Sequence, residues 1–291
     1  DRNILELGRE MRWSYLPPLM VYAAAGISGL TNIVGTFFVK DYLNLSAEFL
    51  AALAFWAGIP WALKMPLGHL VDLIWRYKSG LVFLGAGMIA GSLVIMLGLL
   101  AAPDAMEPVM PLEVWFVFSA LLAPVGYVVQ DVVADAMTVE AVPRVDAQGE
   151  AIDPATLRLM HTTMQTLGRI AIISGFAGVA AVNIWIFSGT EGLPKSERLI
   201  LYGRVYLIAL VIPVLSVSGT VLHALIQRRR MHKGHPVQGP EDETEVNWSI
   251  LAGGLAFVVM SIVLGTARFD YAQETVFLVS LTVILYLISQ L

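Results

Sequence analysis

Lys64, Arg169, Asp131 and Asp135 stand inside stretches that are otherwise apolar. An ionised side chain in such surroundings needs a counter-charge, a proton or a charged solute beside it. Asp131 and Asp135 are spaced i, i+4 and share one helix face, with Gln130 next to them. His161, Gln165 and Arg169 recur every four residues and draw a polar stripe along a segment of apolar and small residues. Paired carboxylates can take up and release protons, an ammonium can neutralise them, and a guanidinium offers a planar fork to an incoming carboxylate. No nucleophile beside a base, no metal-ligand spacing and no phosphate-binding loop stands out, so neither an enzyme nor a metal or cofactor is expected. With no Cys, thiol chemistry and Cys-ligated metal are excluded.

The elements that must position these groups are membrane helices. Hydrophobic residues make up 57% of the 291 residues and charged ones only 14%, far from the balance of a water-soluble domain. About eight apolar runs of spanning length follow one another: Tyr15 to Val39, Ala47 to Val71, Gly80 to Ala101, Val114 to Val139, Leu157 to Phe187, Leu201 to Ile226, Trp248 to Thr266 and Thr275 to Leu291. Backbone amides in hydrocarbon must be satisfied within their own segment, and runs this long and continuous exclude the alternating strands of a membrane barrel. Kinks are expected at Pro17, Pro60, Pro66, Pro124 and Pro213. Gly85, Gly87 and Gly91 lie within a span and read as close-packing positions rather than a nucleotide loop.

Basic residues orient the chain. With the N-terminus in the cytoplasm, Arg2, Arg9, Arg12, Arg76, Lys78, Arg144, Arg158, Arg228, Arg229, Arg230 and Lys233 fall inside, and Lys40, Lys195, Arg198, Arg204 and Arg268 fall outside. A bacterial inner-membrane protein with a cytoplasmic N-terminus is expected. Arg228 to Arg230 read as a topological anchor for the sixth span, with binding of anionic headgroups of membrane lipids as the alternative, and Trp13 and Trp248 as interfacial belt residues. A net charge of −5 and the lack of a basic stripe argue against nucleic acid as a partner.

The longest polar stretch, Gln227 to Glu245, divides the runs six plus two. We therefore expect residues 1–226 to form a six-helix bundle, 227–246 a cytoplasmic linker loop and 247–291 the start of a second bundle, as in two-halved carriers. Asp1 in place of Met and the apolar run reaching Leu291 lead to the expectation of a longer natural chain.

Depth brings charges together. Counted from the cytoplasmic ends of their spans, Lys64 lies roughly 12 Å above Asp72 and Asp131 roughly 13 Å above Glu140, so the two should meet and Asp135 should share the ammonium. Arg169 lies roughly 18 Å in from Leu157, near the midplane, where an anionic solute would be bound. Asn32, with Thr31 and Thr36, gives the first span a smaller polar face towards the same cavity.

Two motifs carry a resemblance. Gly68 and Asp72, one turn apart and followed by Arg76 and Lys78, resemble the gating loop between the second and third helices of the major facilitator superfamily. The stretch Pro60-Trp61-Ala62-Leu63-Lys64-Met65-Pro66, with Met65 between the Lys and the Pro, together with Asp131-Val-Val-Ala-Asp135-Ala-Met-Thr-Val-Glu140, resembles the folate/biopterin transporter family. The resemblance implies an all-α polytopic fold of the major-facilitator type and a secondary carrier with a small organic anion, folate- or pterin-like, as cargo. Arg169, Lys64, Gln165 and Asn32 are then the candidate substrate-binding residues, Asp131 and Asp135 the candidate proton-coupling residues, and Gly68, Asp72 and Arg76 the gate. The plainer readings stand beside these: Lys64 with Asp131 as a structural salt bridge, Asp135 as a cap, Arg169 as a partner for a fourth-span carboxylate, and His161 as an interfacial polar residue. The alternative for the whole chain is a transport-inactive scaffold or assembly subunit bound to partner membrane proteins.

Overall fold

The computed structural model describes residues 11–146, 149–190, 192–232, 245–266 and 271–289, and among them the protein is α-helical without a β-strand. Six helical spans are long and apolar enough to cross a membrane: Trp13–Phe38, Ala47–Leu73, Trp75–Ala101, Leu112–Ala141, Pro154–Phe187 and Lys195–Arg229. The helices Trp248–Thr266 and Ala272–Ser289 follow. Every expected run is thus recovered within a few residues, and the chain is an all-α polytopic integral membrane protein. The charged stretch expected as a loop from residue 227 continues the sixth span as helix to His232. Residues 233–244 lie outside the described residues, as do Arg2, Arg9, Arg268 and Leu291.

Helix starts follow from local chemistry. Ser46 caps the second span by accepting from the Phe49 amide, and Asp153 caps the fifth by accepting from the amides of Ala155 and Thr156, with Pro154 at the first helical position. Prolines decide where spans break. The second span divides at Leu63 into Ala47–Ala62 and Lys64–Leu73, and the sixth divides at Leu210 into Lys195–Ala209 and Val211–His232. Both breaks fall three residues before a proline, Pro66 and Pro213, whose rings would strike the carbonyls of Ala62 and Ala209, four residues back, and whose nitrogens cannot bond to them. Pro17 does not kink its span as expected: it sits in the first turn of the helix Leu16–Gly26, where no amide partner is required. The first span instead changes to a 3-10 helix over Ile27–Thr31 before resuming as Asn32–Phe38.

The spans pack as one bundle in which the third and fourth make the most extensive contact. The end holding Trp75–Tyr77 and the fourth-to-fifth connection is the lower end of the bundle. Gly85 and Gly126 face each other across the third and fourth spans; a Cβ on Gly126 would lie 2.6 Å from the Gly85 carbonyl oxygen, and one on Gly85 2.7 Å from that of Gly126. Two turns higher the same seam is closed by Ser92 and Ser119, each hydroxyl donating to the other's carbonyl oxygen at 2.9 and 3.0 Å. Without water to drive apolar association, close backbone approach and interhelical hydrogen bonds are what hold such helices together. The expectation for the neighbouring glycines needs correcting: Gly87 faces open space and Gly91 is only in ordinary contact with Leu122.

The first span reaches the fifth and sixth by the same device, with Gly26 against Gly175 and Gly219 against the Pro17 carbonyl. Trp248–Thr266 lies against the lower half of the second span, where the Asn247 amide donates to His69 Nε2 at 2.9 Å and Gly254 meets Pro66. Gly126→Val is expected to destabilise the protein by at least about 1–3 kcal/mol, since the obstacle is a backbone carbonyl. Gly87→Ala should leave the midpoint unchanged; equal effects of the two in thermal unfolding in detergent would contradict the seam.

Candidate functional site

The break at Leu63 places Lys64 at the first position of a helix, where its own backbone dipole does nothing to stabilise a cation. Two carboxylates of the fourth span supply what the helix does not. Lys64 Nζ lies 2.6 Å from Asp131 Oδ2 and 2.9 Å from Asp135 Oδ2. The i, i+4 spacing presents both carboxylates on one face, so that one ammonium spans them. Asp131 is buried, whereas Lys64 and Asp135 keep 43% and 47% of their side chains accessible, so the pair is open on one side.

The first span contributes a member that sequence reasoning missed. Tyr22, itself buried, donates its hydroxyl to Asp135 Oδ1 at 2.5 Å. Its ring lies against Gly168 of the fifth span, where a Cβ would come within 2.8 Å of Cε2. Arg169 follows directly, exposed, with no hydrogen bond or ion pair among the described residues. The cluster therefore draws on four spans and combines two cations with two carboxylates.

The remaining candidates divide. Asn32 lines a cavity of about 580 Å³ in the upper half of the bundle together with Ser28, Thr31, Thr36, Trp61, Tyr127 and Tyr206. Tyr127 precedes Asp131 by one turn and Trp61 precedes Lys64 by one, so this uncharged cavity stands directly above the charged cluster. Gln165 shares the exposed face of Arg169 and makes no hydrogen bond among the described residues. Gln130 does not join the carboxylates beside it; its amide bonds the Val82 carbonyl and the Ser216 hydroxyl and so ties the third and sixth spans.

At the lower end the structure departs from the sequence expectation. A Cβ on Gly68 would stand 4.0 Å from Val132, so no close approach requires glycine there. Asp72 and Arg76 are exposed and make no hydrogen bond or ion pair among the described residues. The cross-helix bonding belongs to Lys78, whose Nζ reaches Glu140 Oε1 at 2.7 Å and lies 4.0 Å above the Trp75 ring. His223 Nε2 approaches Glu140 Oε2 at 2.9 Å, so one buried carboxylate gathers the third, fourth and sixth spans. Lys78 sits where the charge count placed a loop, and His223 carried no spacing signal.

A segment of 147 residues, 49% of the chain, is 30% identical to a folate-biopterin transporter from Synechocystis sp.. The segment covers 28% of that protein's length. No family model matches the chain, and no solved structure matches it. The similarity is thus to a transporter, over part of each protein.

Two stability measurements test the clusters. Lys64→Met should cost about 1–3 kcal/mol, less than a fully buried pair because the ammonium is half accessible, and adding Asp131→Asn should recover part of the loss. A double variant as unstable as the sum of the singles would show that the pair is not coupled. Glu140→Leu should cost about 3–5 kcal/mol, since it strands the buried Lys78 without a counter-charge. An unchanged unfolding midpoint would dismiss that network as a structural tie.

Proposed function

We propose that the protein is a secondary transporter of a small organic anion and works by alternating access. The observation that carries this reading is the pairing of an open charged cluster, Lys64 with Asp131 and Asp135, with the uncharged cavity above it, both built where the first and second spans are broken. Interrupted helices near the middle of a bundle are where carriers hold cargo and coupling ions. Similarity to a folate-biopterin transporter supports a folate- or pterin-like anion as the cargo class.

In this reading the anionic end of the cargo meets Arg169, exposed beside the cluster, and displaces part of Lys64's bonding to the carboxylates. Its neutral part occupies the cavity against Asn32, Trp61 and Tyr127. Asp135, held by Tyr22 and Lys64, and Asp131 then carry the coupling proton: weakening the ammonium's hold on either makes its protonation easier. The N-terminus lies in the cytoplasm of a bacterial inner membrane, and the bundle of the first six spans rocks against a second one, begun by Trp248–Thr266 and Ala272–Ser289, in the manner of the major facilitator superfamily. Gly68, Asp72 and Arg76 face that movement at the lower end.

A second reading, in which the chain is a membrane scaffold, would use the apolar face of the fifth span, Ile173, Phe176, Ile184 and Trp185, 54–77% accessible, which either hydrocarbon or a partner membrane protein would cover. Uptake of labelled folate, pterin and other organic anions into proteoliposomes containing the full-length protein separates the two. We expect gradient-dependent uptake that Arg169→Ala reduces at least tenfold and Asp131→Asn uncouples from the proton gradient. Folded protein that accumulates none of these compounds while co-purifying with another membrane protein would favour the scaffold.

A further inference from the structure

We propose that a second cavity, between the upper ends of the first, fifth and sixth spans, holds an anionic membrane lipid whose headgroup hydroxyl bonds to Asn183. The cavity measures about 620 Å³ and shares no lining residue with the one above the charged cluster. Its walls are Ile33, Phe37, Ile184 and Phe187, and Ile184 is 72% exposed, so the space opens sideways on a surface that faces hydrocarbon. A soluble anion would have to cross that apolar mouth; an acyl chain belongs in it.

Asn183 is the feature that apolar packing does not explain. It is 5% exposed, lines the cavity, and makes no hydrogen bond among the described residues, with Oδ1 fully buried. A buried amide without a partner is costly, and more so where water is scarce. A carboxamide carries a donor at one end and an acceptor at the other, and a hydroxyl can pair with whichever of the two faces the cavity. Arg198, engaged in a contact of its own, brings the one charge among the described lining residues, and it is positive. Asn183 lies four residues, roughly 6 Å, below the helix end at Phe187, the depth at which headgroups meet acyl chains. A lipid with a phosphate and a free glycerol hydroxyl matches this set: phosphate towards Arg198, hydroxyl on Asn183, chain along the four apolar side chains.

Such a lipid bears on the neighbouring cavity through one helix. Ile33 and Phe37 face it, while Asn32 and Thr36, each the preceding residue, face the other cavity. Occupancy therefore backs the short helix Asn32–Phe38 that presents Asn32.

The test is thermal unfolding of the delipidated full-length protein in detergent with phosphatidylglycerol or with phosphatidylcholine of the same chains, alongside native mass spectrometry. Phosphatidylglycerol should raise the midpoint by about 5 °C more than phosphatidylcholine. Asn183→Leu, which removes the unpaired amide, should leave the lipid-free midpoint equal or higher and abolish that difference; Ala180→Phe, which fills the cavity, should abolish it too. Retention of one phosphatidylglycerol by the parent protein and by neither variant completes the expected result. Equal shifts from the two lipids, no shift from either, or a difference that survives both substitutions would overturn the proposal.

Discussion

Hydrocarbon cannot solvate an ammonium, and the arrangement of the lower half of this bundle is an answer to Lys64. The side chain emerges at the head of a half-helix created by Pro66, within a membrane span and where the local backbone offers no negative end. Two fourth-span carboxylates answer it, and their separation by one turn forces the second span to lie along the fourth. Asp135 then has an oxygen left over, which Tyr22 of the first span fills, and the Tyr22 ring in turn requires glycine at position 168 of the fifth. Remove the cation and two membrane-embedded carboxylates are left with the Tyr22 hydroxyl as their one side-chain donor among the described residues.

Much of this was legible before any coordinates, because the membrane reduces the problem to one dimension. A run of apolar residues must be a helix, a helix rises a fixed distance per residue, and two spans that start from the same face can be compared by counting. That is why the span limits and the meeting of Lys64 with Asp131 and Asp135 follow from sequence. Counting says nothing about rotation around the helix axis. Tyr22 reads as one more aromatic residue until its azimuth towards Asp135 is known. The Lys78, Glu140 and His223 set was missed for the same reason, compounded by Lys78 standing at a helix start that looks like a loop. The expected gate residues fared differently: Gly68 and Asp72 have a recognisable spacing, yet the tight approaches fall to Gly85, Gly126, Gly26 and Gly175, whose spacing has no distinctive form.

The two charge clusters differ in a way that bears on their use. Glu140 is 3% exposed at its side chain, Lys78 9% and His223 11%, and a solute could reach none of them without prising spans apart. Lys64 and Asp135 are nearly half accessible and share their face with an exposed guanidinium. A sealed cluster resists change, because any protonation or displacement strands a charge in the interior. An open one can exchange partners at smaller cost, since solvent or solute replaces the bond that is lost. The same fourth span thus carries both, Glu140 locked at its foot and Asp131 and Asp135 available above. A carrier needs that division: a bundle stiff enough to move as a body, and a site within it whose charges can be traded for those of the cargo.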